Sequence, residues 1–245
     1  PVLRAIRIAE LILTSPSPLA LADICRAVAL PKPTVFRILA TLEAAGVVGR
    51  EPGSKRYHCG GRVSRMAGAI LLNSPARAGR RAILEELVEQ VGETCNLTVP
   101  NGHSVMLLER VETAWPLRIV LGAGSTAPMH VSASGKLFLA HLPPRARERF
   151  LRQCPLVRHT QKTITDPREF AAELERVRGQ GFAGDDEEHL QGIGCLAVPV
   201  RDPEGRVVAA IAMHTLISRM CLDEAMQFLP TLQAAADAMA ETLDW

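Results

Sequence analysis

Residues 2–13 (VLRAIRIAELIL) set Leu3, Ile6, Ala9 and Leu13 three or four positions apart, the spacing of one helical face. Thr14-Ser15-Pro16-Ser17-Pro18 breaks that pattern. LADICRAV (21–28) predicts a second helix with Leu21, Ile24 and Val28 inward. KPTVFRILATLEAAG (32–46) predicts a third, with Pro33 suited to a first turn and Gly46 to a terminator. Val47-Val48 and Tyr57-His58 are short β-prone runs around a charged turn at Pro52-Gly53. Three helices and a small hairpin are the order of a winged helix-turn-helix, over 1–60. Residues 61–72 predict a connecting helix, and Asn73-Ser74 closes a linker over 61–74.

Beyond it the pattern changes. An amphipathic helix is predicted over 76–92, and strands over 95–100, 104–111 and 117–121. SASGKLFLAHL (132–142) is a helix with Ser132 as N-cap. Helices over 143–153 and 166–181 each carry proline in the first turn. Strands over 195–202 and 206–215 flank Pro203-Glu204-Gly205, and a last helix fills 223–243. Strands mixed with helices predict an α+β domain on a mainly antiparallel sheet over 75–245.

With Val35 at the centre of the third helix's buried face, Ile38, Leu39 and Leu42 fall within about 60° of it. Pro33, Arg37 and Ala40 then point away, flanked by Thr34, Phe36 and Thr41, with Lys32 at the start. One arginine, two hydroxyls and an exposed aromatic suit a helix that reads DNA: arginine for guanine or phosphate, hydroxyls for phosphate, an apolar group for a thymine methyl. On a purely structural helix Phe36 would pack on a neighbour and Arg37 would only be solvated. Arg50, Lys55 and Arg56, on or beside the hairpin, can reach phosphate or the minor groove, or simply face solvent.

Charge strengthens the DNA reading. The net charge of +2 conceals ten Lys/Arg against four Asp/Glu in 1–72, net +6, and eighteen against twenty-two beyond, net −4. A basic module joined to an acidic one fits a polyanion partner. The hydrophobic share of 47% with 22% charged residues supports a sizeable core. Six cysteines at wide spacing, none in a C-x-x-C pair, read as reduced thiols of a cytosolic protein. No apolar run reaches membrane-spanning length.

The candidate chemistry concentrates in GDDEEHLQGIGC (184–195): four carboxylates, an imidazole and a thiol. LPKPTVFRILATLEAAGVV, MHVSASGKLFLAHL and GDDEEHLQGIGCLAVPVRDPEGRVVAAIAM, in that order and separation, resemble the IclR family of bacterial transcriptional regulators over nearly the whole chain. The resemblance implies an N-terminal winged helix-turn-helix and a C-terminal effector-binding domain of GAF-like fold. It implies a homodimer or homotetramer on double-stranded operator DNA, a small carboxylate effector and no cofactor. It places the effector pocket at Ile119, Ala127, Ala133, Ser134, Asp185, Ile193, Cys195, Ala212 and His214, so the acidic stretch shapes a sensor pocket and catalyses nothing.

Elementary chemistry agrees with such a pocket. Free N–H groups at Ala133, Ser134 and Gly135 and the helix dipole favour an anion. Lys136 adds charge from a first-turn position open to solvent. Ala212 and His214, two apart on a strand, share a face. Asp185 either meets a ligand hydroxyl or caps a turn, and Cys195 is either a pocket residue or a core thiol. Many family members carry serines where Ala212 and His214 stand. Losing two hydroxyls, gaining an imidazole, and the small side chains at Ala127, Ala133 and Ala212 point to an effector larger than a two- or three-carbon acid, such as an aromatic acid. Ala29 stands in a turn where glycine is common and Ala22 where a capping hydroxyl is usual, each at a cost of about 1 kcal/mol.

Two alternatives remain at this level. One is a metal-dependent enzyme built on the Asp185–Cys195 region, with His130, Asp185, His189 and Cys195 on zinc or Ser134 as nucleophile. Against it, no H-E-x-x-H, G-x-S-x-G or P-loop appears. The other is a helical N-terminus that binds only protein, which the +6 charge opposes.

Overall fold

The computed structural model describes residues 2–243 except 16, 52, 73–76, 116–121 and 123; for 68 and 70–72 only the backbone is described. The chain divides into two compact units, Pro1–Ile70 and Leu71–Trp245.

In the first unit α1 (Val2–Leu13), α2 (Leu21–Val28) and α3 (Lys32–Ala44) enclose Ile8, Ile12, Ile24, Val28, Val35 and Leu39. The antiparallel hairpin of β1 (Val48–Arg50) and β2 (Tyr57–Cys59) closes this core with Val48 and Tyr57. A bridge from Leu19 to Tyr57 ties the hairpin back to the segment before α2. Ala29 ends α2 in the left-handed region at φ 53°, where a Cβ is strained by roughly 1–2 kcal/mol. The uncapped N-terminus of α2 is at Ala20, which has no side-chain hydrogen bond to offer, whereas Ala22 already lies inside the helix. The missing hydroxyl therefore belongs to position 20, not 22. Helix α4 (Gly61–Leu72) follows.

The second unit begins with α5 (Arg77–Val91), β3 (Thr94–Asn101), β4 (Ser104–Val111) and β5 (Thr126–Pro128). Three helices follow: α6 (Ala133–His141), α7 (Pro144–Gln153) and α8 (Pro167–Gln180). Next come β6 (Ala183–Asp186), β7 (Ile193–Arg201) and β8 (Val207–Leu216), then α9 (Leu222–Ala225), a 3-10 turn and α10 (Leu229–Ala240). The expected last helix is thus broken into three pieces, and the expected strand at 117–121 lies outside the described residues. The six strands run β5-β4-β3-β8-β7-β6, every pairing antiparallel.

Strand alternation divides the sheet's side chains between two helical layers. Cys95, Leu97, Leu196, Val198, Ile211 and Met213 pack with Leu84 and Leu87 of α5 and Leu232, Ala236 and Met239 of α10. On the opposite face Ala183, Cys195, Ala197, Ala210 and Ala212 meet Leu137 of α6, Phe150 of α7 and Phe170 and Leu174 of α8. These alanines are packed against the helices, and a cavity opens beside them on the same face of the sheet.

Candidate functional site

Helix α3 buries Val35 and Leu39 and half-buries Ile38, Leu42 and Thr34. Lys32, Pro33, Arg37 and Thr41 are exposed, and Phe36 is 51% exposed, so about half of its surface is open. The Thr41 hydroxyl donates to the Arg37 carbonyl at 3.1 Å, which occupies its one hydrogen. In the hairpin Arg50 donates to the Lys55 carbonyl at 3.4 Å and stacks over the Tyr57 ring, 5.5 Å from its centroid. Arg56 donates to the Pro18 carbonyl at 3.2 Å, and Lys55 stands exposed at φ 56°. All nine side chains expected to meet DNA belong to α3 or the hairpin and its turn, and only Thr34 of them is half-buried.

In the second unit a cavity of about 130 Å³ opens between the sheet and the start of α6. Ala127, Ala133, Ser134, Asp185, Ile193, Cys195 and His214 line it together. Ala212 shares the sheet face but is packed into the core beneath α6 and is not in the wall. Ile119 lies outside the described residues. The wall also takes Asn96 and Thr98 from β3, Val105 and Leu107 from β4, and His189 and Leu190 from the β6–β7 loop. Ser125, Thr126 and Ser132 complete it. The alternation in CNLTVP held a signal for the first two: Cys95, Leu97 and Val99 point one way, and the polar Asn96 and Thr98 the other.

The start of α6 is built for close approach. A Cβ on Gly135 would lie 2.2 Å from the Met129 carbonyl oxygen, so only glycine lets the helix sit against that backbone. Ser132 accepts from the Gly135 N–H at 3.1 Å, and its carbonyl accepts from the Lys136 N–H at 2.9 Å. The N–H groups of Ala133 and Ser134, beside the cavity, have no partner among the described residues. Two free donors at a helix N-terminus are suited by geometry and dipole to receive an anion.

Lys136 does not face solvent. It is 1% exposed, and its ammonium donates to Glu173 Oε1 at 3.2 Å and to Glu188 Oε1. The i+3 and i+4 spacings that place a helical residue carry no information about carboxylates on α8 and the β6–β7 loop. Asp185 lines the cavity and also caps a turn, accepting from the N–H groups of Glu188 at 2.7 Å and His189 at 3.4 Å. Burial and the nearby Glu188 push its carboxyl up to about 7. A carboxyl that holds its proton near neutrality neither repels an anion strongly nor lacks a donor for it.

Burial and the Asp185 charge hold the Cys195 thiol well above its ordinary range, so it is no thiolate nucleophile. Burial and Arg110 push His214 down to about 3, leaving a neutral ring. Its Nε2 lies 2.7 Å from Asn96 Nδ2 and 3.8 Å from the Cys195 sulfur. His130 bonds to the Val157 carbonyl at 2.8 Å. Among the described residues no three His, Cys, Asp or Glu side chains are arranged to hold a metal ion. No helix among them is long and apolar enough to cross a membrane.

Residues 1–52 match the IclR helix-turn-helix domain, and residues 69–241 match the family model described as bacterial transcriptional regulator IclR, C-terminal. The Cupriavidus necator protein named "Probable transcriptional regulator SauR" is 44% identical over 239 residues, covering 98% of this chain and 95% of that one. The transcriptional repressor IclR of Escherichia coli is 31% identical, covering 92% and 83%. Among solved structures, an IclR homologue of Microbacterium hydrocarbonoxydans complexed with 4-hydroxybenzoate superposes with a TM-score of 0.63 at 25% identity, covering 99% of this chain and 98% of that one. The inducer-binding domain of PobR from Acinetobacter, a double mutant complexed with 3-hydroxybenzoic acid, does so at 0.61 and 27%, covering 66% and 95%. A basic helix-turn-helix unit, a sheet with a ligand-sized cavity at a helix N-terminus, and both family models on one chain lead to one conclusion: this protein belongs to the IclR family of bacterial transcriptional regulators, with a DNA-binding domain and an effector domain rather than an enzyme's active site.

Proposed function

We propose that the cavity of the second unit takes a small carboxylate metabolite, with aromatic acids as its best-fitting class, and that occupancy changes operator binding by the first unit. The observation that carries this reading is the pair of unpartnered N–H groups at Ala133 and Ser134 beside an otherwise largely apolar cavity. Its volume of about 130 Å³ is close to the ~150 Å³ of an apolar cavity known to admit benzene, so one six-membered ring fits. The hydroxybenzoates bound by the Microbacterium and Acinetobacter proteins are acids of that size.

The chain acts in the cytoplasm as a homodimer or homotetramer on roughly palindromic double-stranded DNA. Lys32, Thr34, Phe36, Arg37 and Thr41 of α3 meet the major groove, and Arg50, Lys55 and Arg56 meet the backbone beside it. Effector binding must favour one spacing of paired recognition helices over another, because a ligand shifts an equilibrium only by its differential affinity for the two states.

A thermal-shift screen from glyoxylate and pyruvate to hydroxybenzoates and phenylacetates tests the ligand class. A ligand at one hundred times its Kd stabilises by about 2.7 kcal/mol, which a melting curve resolves. Stabilisation by hydroxybenzoates supports the reading; stabilisation by glyoxylate or pyruvate without any by the aromatic acids overturns it.

A further inference from the structure

We infer that Asn96, held in place by Arg110, is a positioning residue of the effector cavity: it locks His214 as its Nδ1–H tautomer, so the wall offers a neutral N–H donor to a second acceptor oxygen on the bound acid. This deepens the effector reading above and rests on it for the identity of the ligand, though not for the tautomer.

The chain of inference starts at Arg110. A guanidinium only donates, and Arg110 Nη1 lies 3.0 Å from Asn96 Oδ1. The amide must therefore turn its oxygen to Arg110, since the flipped form would set donor against donor. Its Nδ2 then faces His214 Nε2 at 2.7 Å and can only donate. Nε2 carries the lone pair, and the ring proton sits on Nδ1. An imidazolium is excluded by the same contact, because it would press N–H against N–H. The Cys195 thiol, 3.8 Å from the same Nε2, is a further donor toward that lone pair.

Strand register puts these groups together. Asn96 of β3 pairs with Arg110 of β4 on one side and Ala212 of β8 on the other, and Cys195 of β7 pairs with His214 of β8. All of them lie on the sheet face that carries the cavity. With Nε2 occupied, Nδ1 is the ring nitrogen left without a protein partner among the described residues, and His214 belongs to the cavity wall. The cavity thus has donors in two places: the Ala133 and Ser134 N–H groups, and His214 Nδ1–H. A simple monocarboxylate satisfies only the first. The matching ligand is an acid with a second acceptor oxygen, from a hydroxyl, a keto group or a second carboxylate.

The test uses the full chain labelled with 15N-histidine. Long-range 15N–1H spectra should show wild-type His214 as a neutral ring with its proton on Nδ1. Asn96→Asp replaces the donor by an acceptor-only carboxylate, keeps the contact with Arg110, and should move the proton to Nε2. In calorimetry the wild type should bind 4-formylbenzoate, whose second oxygen can only accept, up to about tenfold more tightly than benzoate, the size of one neutral hydrogen bond, and N96D should bring that ratio to about one. A wild-type proton on Nε2, or a tautomer that N96D leaves unchanged, overturns the proposal. If N96D fails to fold, Asn96→Ser removes the amide donor without adding charge and should release His214 into a mixture of both tautomers; a ring still wholly Nδ1–H then refutes the role of Asn96. If neither benzoate binds the wild type, the aromatic-acid reading falls, and the ligand-free spectrum still decides this one.

Discussion

Replacing Lys136 by methionine removes one charge from the frame that holds the cavity and keeps most of the side chain's apolar body. The lysine side chain is 1% exposed, and its partners Glu173 and Glu188 are 11% and 8% exposed. Without the ammonium, Glu173 retains Arg176 at 2.8 Å. Glu188 retains no ion-pair partner among the described residues, and its Oε2 is already buried without a hydrogen bond. Breaking a buried pair from one side costs roughly 3–5 kcal/mol. For a unit the size of Leu71–Trp245 that lowers the melting temperature by about 6–20 °C. The loss should depend on pH. Burial already raises the Glu188 carboxyl, and K136M removes the attraction that opposes that rise. A carboxyl whose folded pKa lies above its unfolded value binds its proton more tightly in the fold. The penalty is therefore full above the folded pKa and shrinks as pH falls toward the unfolded value of about 4.3. Urea titrations at pH 8 and pH 5 should show a smaller difference between K136M and wild type in acid, and adding Glu188→Gln should recover most of the loss at pH 8. A loss under about 1 kcal/mol at pH 8, or one that grows on acidification, would refute the reasoning.

Arg37→Ala should weaken operator binding by about 1–3 kcal/mol in a gel-shift or anisotropy titration while leaving effector binding nearly unchanged; equal losses in both would indicate misfolding. Binding of a carboxylate effector should weaken as pH rises through about 7, where Asp185 loses its proton, and Asp185→Asn should flatten that dependence in calorimetry. Ala29→Gly relieves the left-handed strain at φ 53° but adds freedom to the unfolded chain, so the net gain should be about 0.5–1 kcal/mol, read as a later unfolding midpoint of the N-terminal unit.

Residues near each other in sequence made much of this legible. The helical face of Val35 and Leu39, the outward turn of Arg37 and Phe36, the Ser132 cap and the two-residue alternation that aligns Ala212 with His214 all follow from short-range periodicity. Short elements without a strong signature were missed. Strand β6 reads Ala-Gly-Asp-Asp, with no β-branched residue, and exists because β7 pairs with it. The N-cap of α2 lies at Ala20, two residues before Ala22, because propensity locates a helix end only to within a residue or two.

The main helices and strands, the buried face of α3 and the basic cast of the first unit were determined by the sequence alone, because spacing and charge act within a few residues; the inward face of α1 was not, since Ile8, Ala9 and Ile12 are buried there while Leu3 and Ile6 are exposed. The electrostatics of the cavity were decided by the tertiary structure. Lys136 finds carboxylates 37 and 52 residues away, and Asn96 finds His214 across 118 residues. Those partners set which groups are charged, which are neutral and where each proton sits, and only the packing of α6 and α8 and the register of β3 against β8 bring them within reach.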